Sequence, residues 1–142
     1  MLLLALFLIE SQNSTRIQMK ILVVEDEELM LKALEFRLKK DGYTIIRAID
    51  GRDAISRINE EDFDMVITDI MLPYNNGLEI LNHVKKKSGK NVPVIVLSAV
   101  GLEKVVLEAF ELGADDYITK PFSPTELSIR VKKLLKQSEN VQ

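Results

Sequence analysis

The sequence has no cysteine and a single histidine, His83. Without cysteine there is no disulfide scaffold, no zinc–thiolate or iron–sulfur centre and no cysteine nucleophile. One histidine excludes a multi-histidine metal centre, so a bound catalytic metal would depend on oxygen ligands. Charge of one sign is scarce too. Lys and Arg number 19 against 22 Asp and Glu, a net charge of −3, which argues against nucleic-acid binding by bulk charge and against disorder. Long apolar runs are absent. The longest, residues 1–9, falls well short of the ~20 residues a membrane helix needs. No Lys or Arg precedes it and Glu10-Ser11-Gln12-Asn13 follows it, which does not fit a secretory signal.

What is present is 142 residues, 46% of them hydrophobic, enough for one domain with a real core. Residues 1–18 read as an extension outside that domain. Met19-Lys20 restarts the chain just before a strand-like run, so Met19 is an alternative start. If the apolar run at 1–9 is instead part of the working protein, it reads as a docking segment, because exposed apolar surface is a liability. Residues 19–137 read as the domain and 138–142 as a C-terminal tail.

Along the domain, strand and helix patterns alternate five times. The strands are Ile21–Val24, Thr44–Ala48, Met65–Thr68, Val94–Leu97 and Asp116–Thr119. Three of them, the first, third and fourth, are continuously apolar, the mark of strands buried on both faces of a parallel sheet. Between them run helical patterns: Met30, Ala33, Leu34 and Leu38; Ala54, Ile55 and Ile58; Leu78, Ile80, Leu81 and Val84; Val105, Val106, Ala109 and Phe110. The last helix opens at Ser123-Pro124-Thr125-Glu126, a capping-box sequence, and carries Leu127, Val131, Leu134 and Leu135. Alternation of this kind predicts an α/β fold, a doubly wound three-layer parallel sheet of five strands.

In open parallel sheets ligands bind outside the carboxyl ends of the strands. Glu25 and Asp26 stand at the first such end, Asp69 at the third, Ser98 at the fourth and Lys120 at the fifth. Carboxylates gathered on one edge repel unless a cation sits among them. With no Cys and one His, the natural cation is a hard divalent ion, Mg²⁺ foremost. Lys120 would neutralise a phosphate as a point charge and Ser98 would donate a hydrogen bond to it. A carboxylate beside a metal can itself accept a phosphoryl group. His83 reads as a solvated helix residue, Lys85-Lys86-Lys87 as a basic helix end and Asn75-Asn76-Gly77 as turn chemistry.

These stretches, Ile21–Glu27, Ile67–Pro73, Val96–Ala99 and Gly113–Phe122, resemble the receiver domains of two-component response regulators. The resemblance implies the flavodoxin-like strand order 2-1-3-4-5. It implies Asp69 as phospho-acceptor, fed by a sensor histidine kinase or phosphotransfer protein. It implies Mg²⁺ held by Asp26, Asp69 and the Met71 carbonyl, with Glu25 holding the ion directly or through water, at a site where the family more often has Asp. Ser98, Lys120 and Tyr117 would bind and read the phosphoryl group, and the bond before Pro121 would be cis. The readout face would be helix 4–strand 5–helix 5, acting on an effector protein, on an output domain absent from this chain, or in a homodimer. Helix 4 carries Val105-Val106 where DNA-binding relatives usually have charges, so such a dimer would rely on apolar contact. The resemblance further implies a cytoplasmic, non-enzymatic module with no direct nucleic-acid or membrane partner. The alternative reading is an Mg²⁺-dependent aspartyl-nucleophile phosphatase. It suits the sequence less well, because those enzymes place an Asp-x-Asp pair after the first strand.

Overall fold

The structure is a computed structural model, and it describes residues 2–5, 18–87 and 91–140, with side chains to 137. Most of the 1–18 extension and the last two residues of the expected tail therefore lie outside the described residues. Residues 2–5 form a helical turn whose leucines face solvent.

Five parallel strands form one sheet: β1 Lys20–Val24, β2 Thr44–Ala48, β3 Met65–Asp69, β4 Val94–Ala99 and β5 Asp116–Lys120. Their order is β2-β1-β3-β4-β5, as expected. Helices α1 Glu28–Lys40, α2 Gly51–Glu60, α3 Gly77–Lys86, α4 Glu103–Glu111 and α5 Pro124–Asn140 connect and follow them. Helix α5 thus carries helical backbone past residue 137.

The continuous apolar runs have a direct cause. Successive side chains of a strand point to opposite faces, and here both faces are covered. Ile21 and Val23 of β1 join Ile67, Ile95 and Leu97 in a core closed by Leu31, Leu34 and Leu38 of α1 and by Leu127, Val131 and Leu135 of α5. Leu22 and Val24 point the other way, with Val66, Val94 and Val96, into a core closed by α2, α3 and α4 through Ala54, Ile58, Ile80, Leu81, Val84, Val106 and Ala109. Edge strand β5 buries only Ile118 fully.

Two details differ from the sequence expectation. The inner face of α1 is set by Leu31, Leu34 and Leu38, while Ala33 is exposed and Met30 half-buried. Both periods fit the apolar residues of that helix, and only the sheet selects one. At the start of α5, Ser123 Oγ accepts from the Glu126 amide at 3.1 Å. The Glu126 carboxylate turns instead to Arg130, 3.2 Å away, so only half of the expected capping box forms.

Candidate functional site

The strand order reverses between β1 and β3, which opens a crevice at their carboxyl ends. Register then decides which side chains meet there. β1 pairs β3 with Val24 opposite Thr68, so Glu25 and Asp26 emerge beside Asp69. β4 pairs β3 with Leu97 opposite Asp69 and pairs β5 with Ala99 opposite Lys120, which brings Ser98 and Lys120 to the same edge.

Three carboxylates converge at this edge. Glu25, Asp26 and Asp69 each offer an oxygen within 4.8 Å of the others. Glu25 and Asp69 are buried and Asp26 is exposed, so the cluster opens to solvent on one side. Lys120 Nζ donates to Asp69 Oδ2 at 2.6 Å and to Glu25 Oε2 at 2.7 Å. Asp69 Oδ1 accepts from the Met71 amide at 3.2 Å, and Glu25 Oε1 from the Glu27 amide at 3.2 Å. The peptide bond between Lys120 and Pro121 is cis.

The electrostatics follow from one ammonium serving two buried carboxylates. Burial pushes the Glu25 carboxyl above its ordinary value; the Lys120 hydrogen bond opposes this and the Asp69 charge adds to it. Burial also works against the Lys120 ammonium, but hydrogen bonds and charge from Asp69 and Glu25 outweigh it, and its pKa rises. Lys120 therefore stays charged between Glu25 and Asp69. An all-oxygen set of this kind, open on one side, fits a hard divalent cation that retains water. The residues present are thus compatible with Mg²⁺.

Asp69 ends β3, and the loop that follows it is held from two sides. Gly77 donates its amide to the Ile70 carbonyl at 2.8 Å, closing residues 70–77 at their base. A Cβ at Gly77 would stand 2.5 Å from the Asp69 carbonyl oxygen, so only glycine lets the chain pass this close. Asn76, expected as turn chemistry, also caps α3. It accepts from the Glu79 amide at 3.0 Å, and Glu79 reaches back to the Asn76 amide. The pattern Asn-x-x-Glu could have revealed this capping box in the sequence.

Ser98 is buried at the end of β4 and lines a cavity of about 350 Å³ beside α4, together with Val100, Val106, Leu107, Phe110 and Tyr117. Tyr117 is 40% exposed and meets Phe110 edge to face at 5.7 Å. Met71 and Val100 flank the site and are 62% and 75% exposed. His83 is exposed on α3, away from these residues in sequence and strand position.

The basic end of α3 does more than complement a helix dipole. Lys85 Nζ donates to the Val92 carbonyl at 2.8 Å and pairs with Asp115 at 2.9 Å. Lys87 Nζ donates to the Ile58 and Glu61 carbonyls at the end of α2. Asp116 pairs with Arg130 at 2.8 Å. Asp115, Asp116 and Arg130, charges that an intermolecular contact on the α4–β5–α5 face could use, are thus paired within the chain.

A family model for the response regulator receiver domain matches residues 21–132. Among solved structures, a Francisella response regulator receiver domain is similar at 36% identity and a TM-score of 0.78, covering 85% of this chain and 99% of that one. The chemotaxis response regulator CheY4 of Vibrio cholerae is similar at 28% identity and a TM-score of 0.75, covering 82% and 98%. NtrX of Brucella abortus is similar at 30% identity and a TM-score of 0.79, over 87% of this chain but only 28% of that longer one.

Proposed function

The chain belongs to the response regulator receiver family of two-component signalling, and from that premise we propose that Asp69 is its phospho-acceptor, serviced by Mg²⁺ and Lys120. The observation that carries this reading is the position of Asp69. It is buried at the strand-order reversal, in the carboxylate cluster and within 2.6 Å of the Lys120 ammonium.

The donor would be a phosphohistidine of a sensor kinase or phosphotransfer protein. An Asp69 carboxylate oxygen attacks phosphorus, the P–N bond breaks, and the imidazole leaves with the electron pair and takes up a proton. Asp26, Asp69 and the Met71 carbonyl would hold Mg²⁺, with Glu25 bound directly or through water. When bound, the ion would offset phosphoryl negative charge as the group transfers. Lys120, already between Glu25 and Asp69, would turn to the phosphoryl oxygens. Phosphoryl transfer is mostly positioning and charge stabilisation, so these residues suffice without a general base.

The readout follows from the cavity beside Ser98. The Ser98 hydroxyl would bond the phosphoryl group, and Tyr117 would turn from its exposed position into the space lined by Val106 and Leu107. That would remodel the α4–β5–α5 face, which presents Leu107, Phe110 and Tyr117 to a partner. The partner is an effector protein, an output domain on a longer chain, or a second copy meeting this face by apolar contact. We place the domain in the cytoplasm, with a kinase that draws on ATP, and read it as a stoichiometric acceptor rather than a turnover enzyme. Among the described residues no helix is long and apolar enough to cross a membrane.

The test is labelling with acetyl phosphate, followed by intact mass. The expected result is one phosphoryl group per chain, dependent on Mg²⁺ and lost in Asp69→Asn. Steady turnover of an external phosphomonoester would instead favour the aspartyl-nucleophile phosphatase.

A further inference from the structure

Tyr74 lies on the loop between β3 and α3 with φ +65°, and among the described residues it is the non-glycine residue with positive φ. A bulky side chain there is a genuine outlier, because its Cβ crowds the backbone. Such conformations persist only where the surroundings over-determine them.

The surroundings are the start of α2. The Arg52 guanidinium carbon stands 4.0 Å from the centre of the Tyr74 ring, a stacked cation–π contact. On either side of Tyr74 the main chain meets Gly51, by a hydrogen bond at Pro73 and by close approach at Asn75. The Gly51 amide donates to the Pro73 carbonyl at 3.2 Å, and a Cβ at Gly51 would fall 1.7 Å from the Asn75 carbonyl oxygen. The loop therefore rests directly on the backbone of α2, and its one strained residue is covered by the next side chain of that helix.

We infer that Arg52 and Tyr74 form a clamp that positions the β3–α3 loop, and with it the Met71 main chain beside Asp69. Met71 is three residues from Tyr74, inside the loop that the Gly77–Ile70 hydrogen bond closes. Its amide already holds Asp69 Oδ1, and its carbonyl is a metal ligand on the reading proposed above, on which this inference rests. The stack offsets the strain at Tyr74. Without it the loop has a reason to relax, and both Met71 contacts relax with it. Arg52 and Tyr74 touch neither the acceptor nor the metal position, so they are positioning residues.

A mutant cycle in the full chain tests this with two readouts. One is amide hydrogen exchange of residues 70–77 in metal-free protein, and the other is Mg²⁺ binding by calorimetry. Arg52→Ala is expected to speed exchange at the Met71 and Gly77 amides by roughly two- to fivefold, the factor an exposed cation–π contact supports. Mg²⁺ binding weakens by no more than the same factor. Asparagine accepts positive φ more readily, so in a Tyr74→Asn background Arg52→Ala has no further effect on either readout. An Arg52→Ala variant with unchanged exchange overturns the clamp. So does an equal effect of Arg52→Ala in both backgrounds. Wild-type protein that binds no Mg²⁺ counts against the acceptor reading, and exchange in the metal-free protein still decides the clamp.

Discussion

Lys120 holds Asp69 and Glu25 together: its ammonium lies 2.6 Å from Asp69 Oδ2, while the same nitrogen reaches Glu25 at 2.7 Å. One side chain from the edge strand therefore bridges carboxylates at the ends of two central strands. On the function proposed above, it would release at least one of them to meet a phosphate.

Removing that ammonium should expose the repulsion it suppresses. Lys120→Met is expected to lose stability by about 1–3 kcal/mol without Mg²⁺, less than the 3–5 of a fully buried pair because Lys120 is partly exposed. Added Mg²⁺ should recover more stability in the variant than in the wild type. Urea denaturation with and without Mg²⁺ measures both effects. An equal loss in the two conditions would count against a shared cation site.

Gly77 tests the close passage of the chain behind Asp69. A Cβ there would lie 2.5 Å from the Asp69 carbonyl oxygen and 2.7 Å from the Ile70 Cα. Both neighbours are backbone and cannot rotate away. Gly77→Ala should therefore cost about 1–3 kcal/mol, the range of an overpacked site, despite the gain in helix propensity. A denaturation midpoint equal to wild type would contradict the geometry.

Ser98 separates acceptance from readout. Ser98→Ala keeps Asp69, Lys120 and the carboxylate cluster, so labelling by acetyl phosphate should persist. The response of Tyr117, followed by NMR of fluorotyrosine, should shrink or vanish. A full Tyr117 response in the labelled variant would remove Ser98 from the switch.

Met71 and Val100 stand two positions after Asp69 and Ser98 with apolar side chains, and on the function proposed above, water that they exclude from a phosphoryl group cannot attack it. The phosphorylated protein should therefore decay over minutes or longer, not seconds. Met71→Glu should shorten its lifetime by up to about tenfold, equal to ~1.4 kcal/mol of barrier. The decay of the phosphorylated mass after removal of the donor gives the rate. No change in the variant would mean that Met71 excludes no water that matters.

The α4–β5 face offers an apolar contact through Leu107, Phe110 and Tyr117, while Asp116 is bound to Arg130 and Asp115 to Lys85. If two copies meet there on phosphorylation, Leu107→Lys, which places charge on a side chain 64% exposed, should abolish the larger species in sedimentation. If that contact is the apolar one, raising salt should leave the wild-type association nearly unchanged, because screening acts on charges. Strong salt sensitivity would point to a different surface.

The division between sequence and fold runs through particular residues. The runs at Ile21–Val24, Met65–Thr68 and Val94–Leu97 were readable as strands buried on both faces, because only a sheet covered on each side tolerates apolar residues at every position. The polar residue closing each run was readable as a site member, because parallel strands all end at one edge. The sequence could not say that Leu31 rather than Ala33 faces the core, since that depends on where α1 settles on the sheet. Nor did it reveal that Lys85 and Lys87 fasten neighbouring elements, for those partners are distant in the chain. Lys120 bridging Glu25 and Asp69, Gly51 lying under Asn75 and Tyr74 held at positive φ beneath Arg52 were decided by tertiary structure alone. Each is a contact between segments whose distance is set by strand order and register. Local residue pattern fixes which way a side chain points along its own element, but only the assembled sheet determines what it meets.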